Sequence, residues 1–172
     1  MSFAKKVILP GVFTALLIGG QLALSGISGI EIVTVLLLTY AYRYGVKQGL
    51  LVATSFSVLR CFMFGFIPNV IVLYLIYYNL FAVVFGCLGK LGKNEYDVKT
   101  HVIVIVCVIG MTALFTLIDD VLTPLMYGFT PEAMKTYFYA SLATMVPQII
   151  CAFATVLVLF PALLKVLIVA KC

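Results

Sequence analysis

Four ionisable side chains stand inside long apolar segments of this 172-residue chain, where each would either form a buried ion pair or bind a polar solute. They are three acids and one base: Glu31, Asp119, Asp120 and Arg60. An ionisable group at membrane depth is energetically costly and usually faces the interior of a helix bundle or a wet cavity. Because a buried charge without a partner is strongly destabilising, we expect Arg60 to pair with one of the three acids.

Two interpretations of this polar set remain open. In the first, the ion pair only fixes the packing of the helices. In the second, the charged groups line a water-filled cavity that opens outward and binds a small polar solute, since three acids for one arginine leave surplus hydrogen-bond acceptors. Neighbouring polar residues extend the candidate binding site: Asn69, Tyr74, Tyr77, Tyr78, Asn79, Thr123 and Tyr127.

Catalysis has little support in the residue pattern. The sequence contains no P-loop motif and no H-E-x-x-H motif, and its single histidine is His101. Asp119 and Asp120 are adjacent, hence about 100° apart on a helix, and do not form a facing dyad. We therefore predict a binding protein with no catalytic residue, metal or cofactor. An integral membrane lipid-modifying enzyme that uses these two aspartates, and a structural or regulatory membrane subunit, are the alternatives.

The elements that must position these side chains are membrane-spanning helices. The chain is 65% hydrophobic and only 10% charged, whereas ordinary globular domains contain about 25% charged residues. Its apolar runs are long and continuous, so most of the surface is expected to face the lipid bilayer. The net charge of +5 fits lysines and arginines retained in cytoplasmic loops, and we expect no nucleic-acid partner.

We predict a single transmembrane domain over residues 1–172, an all-α bundle of six membrane-spanning helices. The spans are expected at residues 7–25, 30–42, 48–64, 70–88, 101–122 and 136–169. With both termini on the cytoplasmic side, every basic residue except Arg60 and Lys135 falls in or near a cytoplasmic segment. The same topology places the four embedded charged groups in the outer half of the membrane.

The first predicted span carries small residues at every fourth position: Gly11, Ala15, Gly19 and Ala23. Residues four apart share one helix face, and small side chains there allow two helices to approach closely in lipid. This small-residue stripe therefore packs either against another span of the same chain or against a partner subunit.

Two segments carry a resemblance to a known family: ALLIGGQLALSGISGIEIVTVLLL near the start and LVLFPALLKVL near the end. Together with six short spans and an outer polar set, they resemble the substrate-binding S component of an energy-coupling factor (ECF) transporter, over essentially the whole chain. The resemblance implies a subunit of the bacterial plasma membrane that captures a vitamin or related micronutrient from outside at high affinity. A separate transmembrane scaffold subunit and two ATPase subunits would then make it topple in the bilayer and release the solute inside.

The resemblance also implies roles for particular residues. In the family, an A-x-x-x-A motif of the first helix contacts the scaffold subunit; Ala15, Gly19 and Ala23 occupy the matching positions here, with glycine in place of one alanine. A net-acidic pocket favours a cationic or hydrogen-bond-donating ligand such as a thiamine-like pyrimidine, with a corrinoid as the alternative. The family's pocket lies in the outer parts of several helices, which here implies Glu31, Arg60, Asn69, Asp119 and Asp120.

Overall fold

Six α-helices make up the part of the chain that the computed structural model describes, which is residues 3–27, 32–92 and 96–169. They are α1 (Phe3–Leu24), α2 (Val33–Tyr44), α3 (Val46–Phe64), α4 (Pro68–Leu91), α5 (Val98–Tyr127) and α6 (Pro131–Val169). No strand occurs within these residues. The prediction of an all-α fold is confirmed for this part of the chain, and each predicted span overlaps one helix.

Four helices of the described chain are long and apolar enough to cross a membrane: α1 from Lys6 onward, α4, α5 and α6. Such a set of apolar helices makes the chain a multi-pass membrane protein. α2 is different, because its 12 residues give a length of about 18 Å, well short of a hydrocarbon core of about 30 Å. Six crossings, and the direction of each helix in the bilayer, stay predictions.

Local sequence explains where α5 ends and α6 begins. Gly128 follows α5 in the left-handed conformation, with φ of 63°, which glycine adopts without a Cβ clash. Pro131 opens α6, where its fixed φ suits the first helical turn and its missing N–H is not needed. Pro147 and Pro161 lie inside α6 without ending it. α6 therefore starts before residue 136, the predicted start of the sixth span, and contains 39 residues.

The start of α5 depends on a side-chain cap. Asp97 precedes the helix, and its Oδ2 accepts a hydrogen bond from the backbone N–H of Thr100 at 3.3 Å. We expect Asp97→Ala to lower the free energy of unfolding by about 1 kcal/mol, the usual cost of losing an N-cap. Asp97→Asn is the matched control, because asparagine also caps helices well. Thermal denaturation in detergent measures both variants, and equal loss of stability in the two would contradict the capping role.

α4 is the central helix of the bundle. It packs against α2, α3 and α5, whereas α1 packs on α2 and α3, and α6 packs on α5 and α2. Large side chains are fully buried where these helices meet: Tyr40, Tyr42, Phe56, Phe81, Phe85 and Phe160. The core is therefore aromatic and centred on α4, and α4 lies between α3 on one side and α5 on the other.

The N-terminus of α4, the C-terminus of α5 and the N-terminus of α6 meet at one end of the bundle. Asn69 of α4 is hydrogen-bonded to Thr123 of α5, and Asp119 of α5 is hydrogen-bonded to Tyr137 of α6. The predicted topology places this end outside the cell, and we call it the outer end.

Candidate binding site

Two polar helix faces meet at the outer end. Residues spaced by four, three and four positions share one face of an α-helix. On α5 this face carries Thr112, Thr116, Asp119 and Thr123. On α6 the same spacing gives Tyr137, Ser141, Thr144 and Gln148. Because α5 and α6 form an antiparallel pair, the first residue of the α6 face lies beside the last residues of the α5 face.

A chain of hydrogen bonds joins α4, α5 and α6 at this end. The hydroxyl of Tyr127 donates to Oδ1 of Asn69 at 3.2 Å, and Nδ2 of Asn69 donates to Oγ1 of Thr123 at 3.0 Å. Thr123 then donates to Oδ1 of Asp119 at 2.6 Å, and the hydroxyl of Tyr137 donates to its Oδ2, also at 2.6 Å. Hydrogen bonds from hydroxyls to a carboxylate are short and strong, so Asp119 is held in a fixed position.

Asp120 points toward α6 as well. The hydroxyl of Ser141 donates to its Oδ2 at 2.8 Å. The side chain is buried, at 9% exposure, and its Oδ1 has no hydrogen-bond partner among the described residues. Both adjacent aspartates therefore bond to side chains of α6, although their directions on α5 differ.

Two neighbouring cavities lie between these faces. The larger, of about 250 Å³, is lined by Phe115, Thr116, Asp119, Tyr137, Ala140, Ser141, Thr144 and Gln148. The smaller, of about 70 Å³, is lined by Tyr74, Tyr77, Tyr78, Thr112, Phe115 and Gln148. They share Phe115 and Gln148, so the smaller cavity forms the floor of the larger one. Their combined volume lies near the lower end of the range for small-molecule sites.

The floor is built from closely packed aromatic rings. The ring centroids of Tyr77 and Phe115 are 4.8 Å apart, those of Tyr74 and Tyr78 are 5.0 Å apart, and those of Tyr77 and Tyr78 are 5.1 Å apart. The pairs are tilted or edge-to-face, the arrangements that aromatic side chains prefer. Two of the rings are buried, those of Tyr77 and Tyr78, which gives the cavity a rigid base.

Arg60 does not pair with the aspartates. Its guanidinium carbon lies 4.1 Å from the centre of the Tyr74 ring and 4.9 Å from that of Phe64. Its Nε has no hydrogen-bond partner among the described residues, and no ion pair joins it to Asp119 or Asp120 within them. The expected pairing with those two acids is wrong because α4 separates α3 from α5. The third expected partner is Glu31, which lies outside the described residues.

The sequence-predicted site residues therefore divide into groups. Asn69 and Asp119 belong to one hydrogen-bonded network with Thr123 and Tyr127, and Tyr74 lines the floor. Arg60 stacks on Tyr74 through a cation–π contact, while Gln21 of α1 donates to the Tyr74 hydroxyl at 3.3 Å. Of the other candidates, Tyr77 and Tyr78 also line the floor. Asn79 bonds to Thr54 and to the carbonyl of Leu75 and is not part of the cavity lining.

The polar face of α6 was missed by the sequence analysis. Four of its side chains line the cavity, and none is charged. Their spacing was visible in the sequence as Tyr137, Ser141, Thr144 and Gln148. The site predicted from the sequence was based on embedded charged residues instead, because a charge is the costliest group to place in a membrane.

The small-residue stripe of α1 is exposed along its whole length. A Cβ added at Gly11 or at Gly19 would meet no atom within 4 Å, so the stripe does not pack against another described helix. Gly11, Ala15 and Gly19 line one wall of a groove of about 480 Å³. Ser55 and Leu59 of α3 line the other wall. The interpretation as packing within the chain is therefore wrong for the described residues.

His101 and the four cysteines that the structure describes are not part of the cavity lining: Cys61, Cys87, Cys107 and Cys151. The hydroxyl of Tyr96 contacts Nδ1 of His101 at 3.1 Å, and Nε2 contacts the carbonyl oxygen of Val156 at 3.3 Å, at the end of the bundle opposite the outer end. Since a carbonyl only accepts, Nε2 is the donor to Val156, and in the neutral ring Nδ1 then accepts from the tyrosine. The described residues contain no cluster of three or more His, Cys, Asp or Glu side chains suited to a metal ion.

Comparison of the chain with protein-family models, with curated proteins and with solved structures gives no match. The function has to be inferred from the cavity and the exposed surfaces themselves. Chemically, the cavity offers hydroxyls, an amide and one carboxylate above an aromatic floor, a combination that suits reversible binding of a small polar solute.

Proposed function

We propose that this chain is the substrate-binding subunit of an ECF-type ABC importer and captures a vitamin or related micronutrient at the outer face of the bacterial plasma membrane. The observation that carries this proposal is the polar cavity at the outer end, between the facing polar stripes of α5 and α6. Polar residues at membrane depth are costly and mark solute pathways or binding sites. A bundle that needed only to pack would fill this space with apolar side chains.

Six crossings with both termini inside agree with this function. The arrangement opens the cavity outward and leaves most basic residues on the cytoplasmic side. Short α2 is accommodated by local thinning of the bilayer or by its position among other helices, since α2 packs against α1, α3, α4 and α6.

The size of the cavity limits which candidate substrates fit. A corrinoid macrocycle is far larger than the two cavities together, whereas a single-ring or two-ring micronutrient is of suitable size. A thiamine-like pyrimidine is therefore the better of the two candidates.

The exposed stripe of α1 is the proposed contact with the scaffold subunit. Small residues let a partner helix approach closely, and packing at close range is the main force between helices in lipid. Two ATPase subunits would bind to the scaffold and supply the energy. The chain itself has no P-loop motif.

Native mass spectrometry of the gently purified chain in lipid nanodiscs tests the binding function. We expect one small solute retained per chain, without added ATP. A chain that carries no solute, and that binds no candidate vitamin on titration, would contradict the proposal.

Replacement of Gly19 tests the partner surface separately. Gly19→Leu is expected to abolish co-purification of the scaffold and ATPase subunits, because a branched side chain keeps the helices apart. Solute binding is expected to be unchanged, since Gly19 lies outside the cavity lining. Val12→Leu is the matched control, on an exposed position of α1 outside the groove. Full partner association by Gly19→Leu would rule out this contact surface.

A further inference from the structure

The charges that line the larger cavity are unbalanced. Asp119 is the one ionisable carboxylate in its lining, and no lysine, arginine or histidine lines it among the described residues. The two basic residues of the outer half are Arg60 and Lys135, and neither forms an ion pair with Asp119 within that part of the chain. Asp119 is half-buried, and a carboxylate without a countercharge is costly at membrane depth.

Asp119 also has unused capacity for hydrogen bonds. Its Oδ1 accepts from Thr123 and its Oδ2 accepts from Tyr137, which gives one bond to each oxygen. An ionised carboxylate accepts about four hydrogen bonds in total. Both protein donors are neutral hydroxyls, so they fix the direction of the carboxylate and supply no countercharge.

The remaining lining suits a flat ring. Phe115 and Tyr137 both line the larger cavity, and Phe115 is held edge-on against Tyr77 in the floor. Aromatic faces attract cations as well as other rings. The volume of about 250 Å³ exceeds the roughly 150 Å³ of a cavity that holds benzene. Gln148 bridges the two cavities, and its amide has no hydrogen-bond partner among the described residues.

From these features we infer that the site takes a small organic cation with a planar ring, its positive nitrogen group on Asp119 and its ring beside Phe115. This inference rests on the proposed binding function and specifies the chemical class of its substrate. The cationic group supplies the countercharge that Asp119 lacks, and its N–H groups use the free acceptor positions of the carboxylate. The Gln148 amide then bonds to a polar substituent at the far edge of the ring.

Three probes of nearly equal shape test the charge of the ligand: benzamidine is a cation, benzamide is neutral and benzoate is an anion. Dissociation constants are measured by isothermal titration calorimetry with the full chain in lipid nanodiscs. Wild type is expected to bind benzamidine about tenfold more tightly than benzamide, as expected for one desolvated cation contact. Benzoate is expected to bind more weakly than both.

Variants assign this preference to Asp119. Asp119→Asn is expected to bring the benzamidine-to-benzamide ratio close to one, whereas Glu132→Gln, which removes an exposed acid of α6 near the outer end, is expected to keep it. Thr144→Lys adds a cation at an exposed position of the cavity lining and is expected to shift the preference toward benzoate, which covers the case that Asp119→Asn does not fold.

The possible failures are distinguishable. Equal or tighter binding of benzamide or benzoate by wild type overturns the cation class and leaves the binding function standing. A benzamidine preference that survives Asp119→Asn, or that Glu132→Gln removes to the same extent, overturns the role of Asp119. The absence of saturable binding for all three probes overturns the cation class, and the solute-retention experiment then decides the binding function independently.

Discussion

Ala140→Trp is expected to abolish solute binding while the bundle still folds. Ala140 lies on α6, lines the larger cavity and is exposed. An indole at this position projects into a space of about 250 Å³ and occupies the place of a ring-sized ligand. The cavity is open to the surface, so the larger side chain does not have to force packed helices apart, which is the usual cost of enlarging a core residue. We expect affinity to fall by about 100-fold or more, the effect of losing roughly 3 kcal/mol of binding energy.

The loss is measured by titrating the solute that native mass spectrometry identifies into the variant in lipid nanodiscs. Ala143→Trp is the control, because Ala143 is also exposed on α6 but does not line the cavity. It is expected to bind solute as wild type does and to unfold at the same temperature as Ala140→Trp. If Ala140→Trp binds the solute as tightly as wild type, the binding site is not the cavity between α5 and α6.

Gly86→Ala is expected to destabilise the chain, because at Gly86 α4 packs directly against the backbone at the start of α3. A Cβ at Gly86 would stand 2.6 Å from the backbone nitrogen of Val46 and 2.7 Å from its Cα. A Cβ at Gly89, one turn further on, would overlap the carbonyl oxygen of Tyr42. Backbone atoms cannot rotate away as a side chain does, so α4 would have to move away from Val46 at the start of α3. Overpacking of this kind costs about 1–3 kcal/mol.

The free energy of unfolding, measured by titration with SDS from mixed micelles, is the quantity to compare. Gly110→Ala is the matched control, since a Cβ there meets no atom within 4 Å and alanine favours a helix over glycine. We expect Gly110→Ala to be neutral or slightly stabilising, and Gly86→Ala to be clearly destabilising. Equal effects in the two variants would show that α4 and the start of α3 are not in close contact in the membrane.

These two predictions are connected through α4, which provides both the close contact at Gly86 and part of the floor of the cavity that Ala140 lines. α4 carries Gly86 toward the start of α3 and carries Tyr77 toward α5, where the tyrosine forms part of the cavity floor. Close packing between α3 and α4 therefore helps to fix the position of the floor. A variant that separates these helices is expected to lower solute affinity as a secondary effect.

The lipid setting and the helical fold followed from the sequence alone. Both depend on local properties: long apolar runs require helices in a bilayer, because each backbone group must be satisfied within its own segment. The caps at Asp97 and Gly128 are local as well, which is why α5 lies close to its predicted span. The polar outer set was also recognisable, since Asn69 and Asp119 are unusual in apolar surroundings.

Only the tertiary structure decided which of these polar residues meet. Arg60 and Asp119 are both embedded, yet α4 lies between their helices, so the arginine stacks on Tyr74 and does not pair with Asp119. The polar face of α6 became part of the site because α5 and α6 pack antiparallel with Tyr137 beside Asp119. From the sequence, the small-residue stripe that includes Gly19 could pack against another helix of the chain or against a partner subunit. The arrangement of α1 on α2 and α3 leaves it exposed. Spacing along one helix determines which residues share a face, but which neighbour that face meets depends on how all the helices pack together.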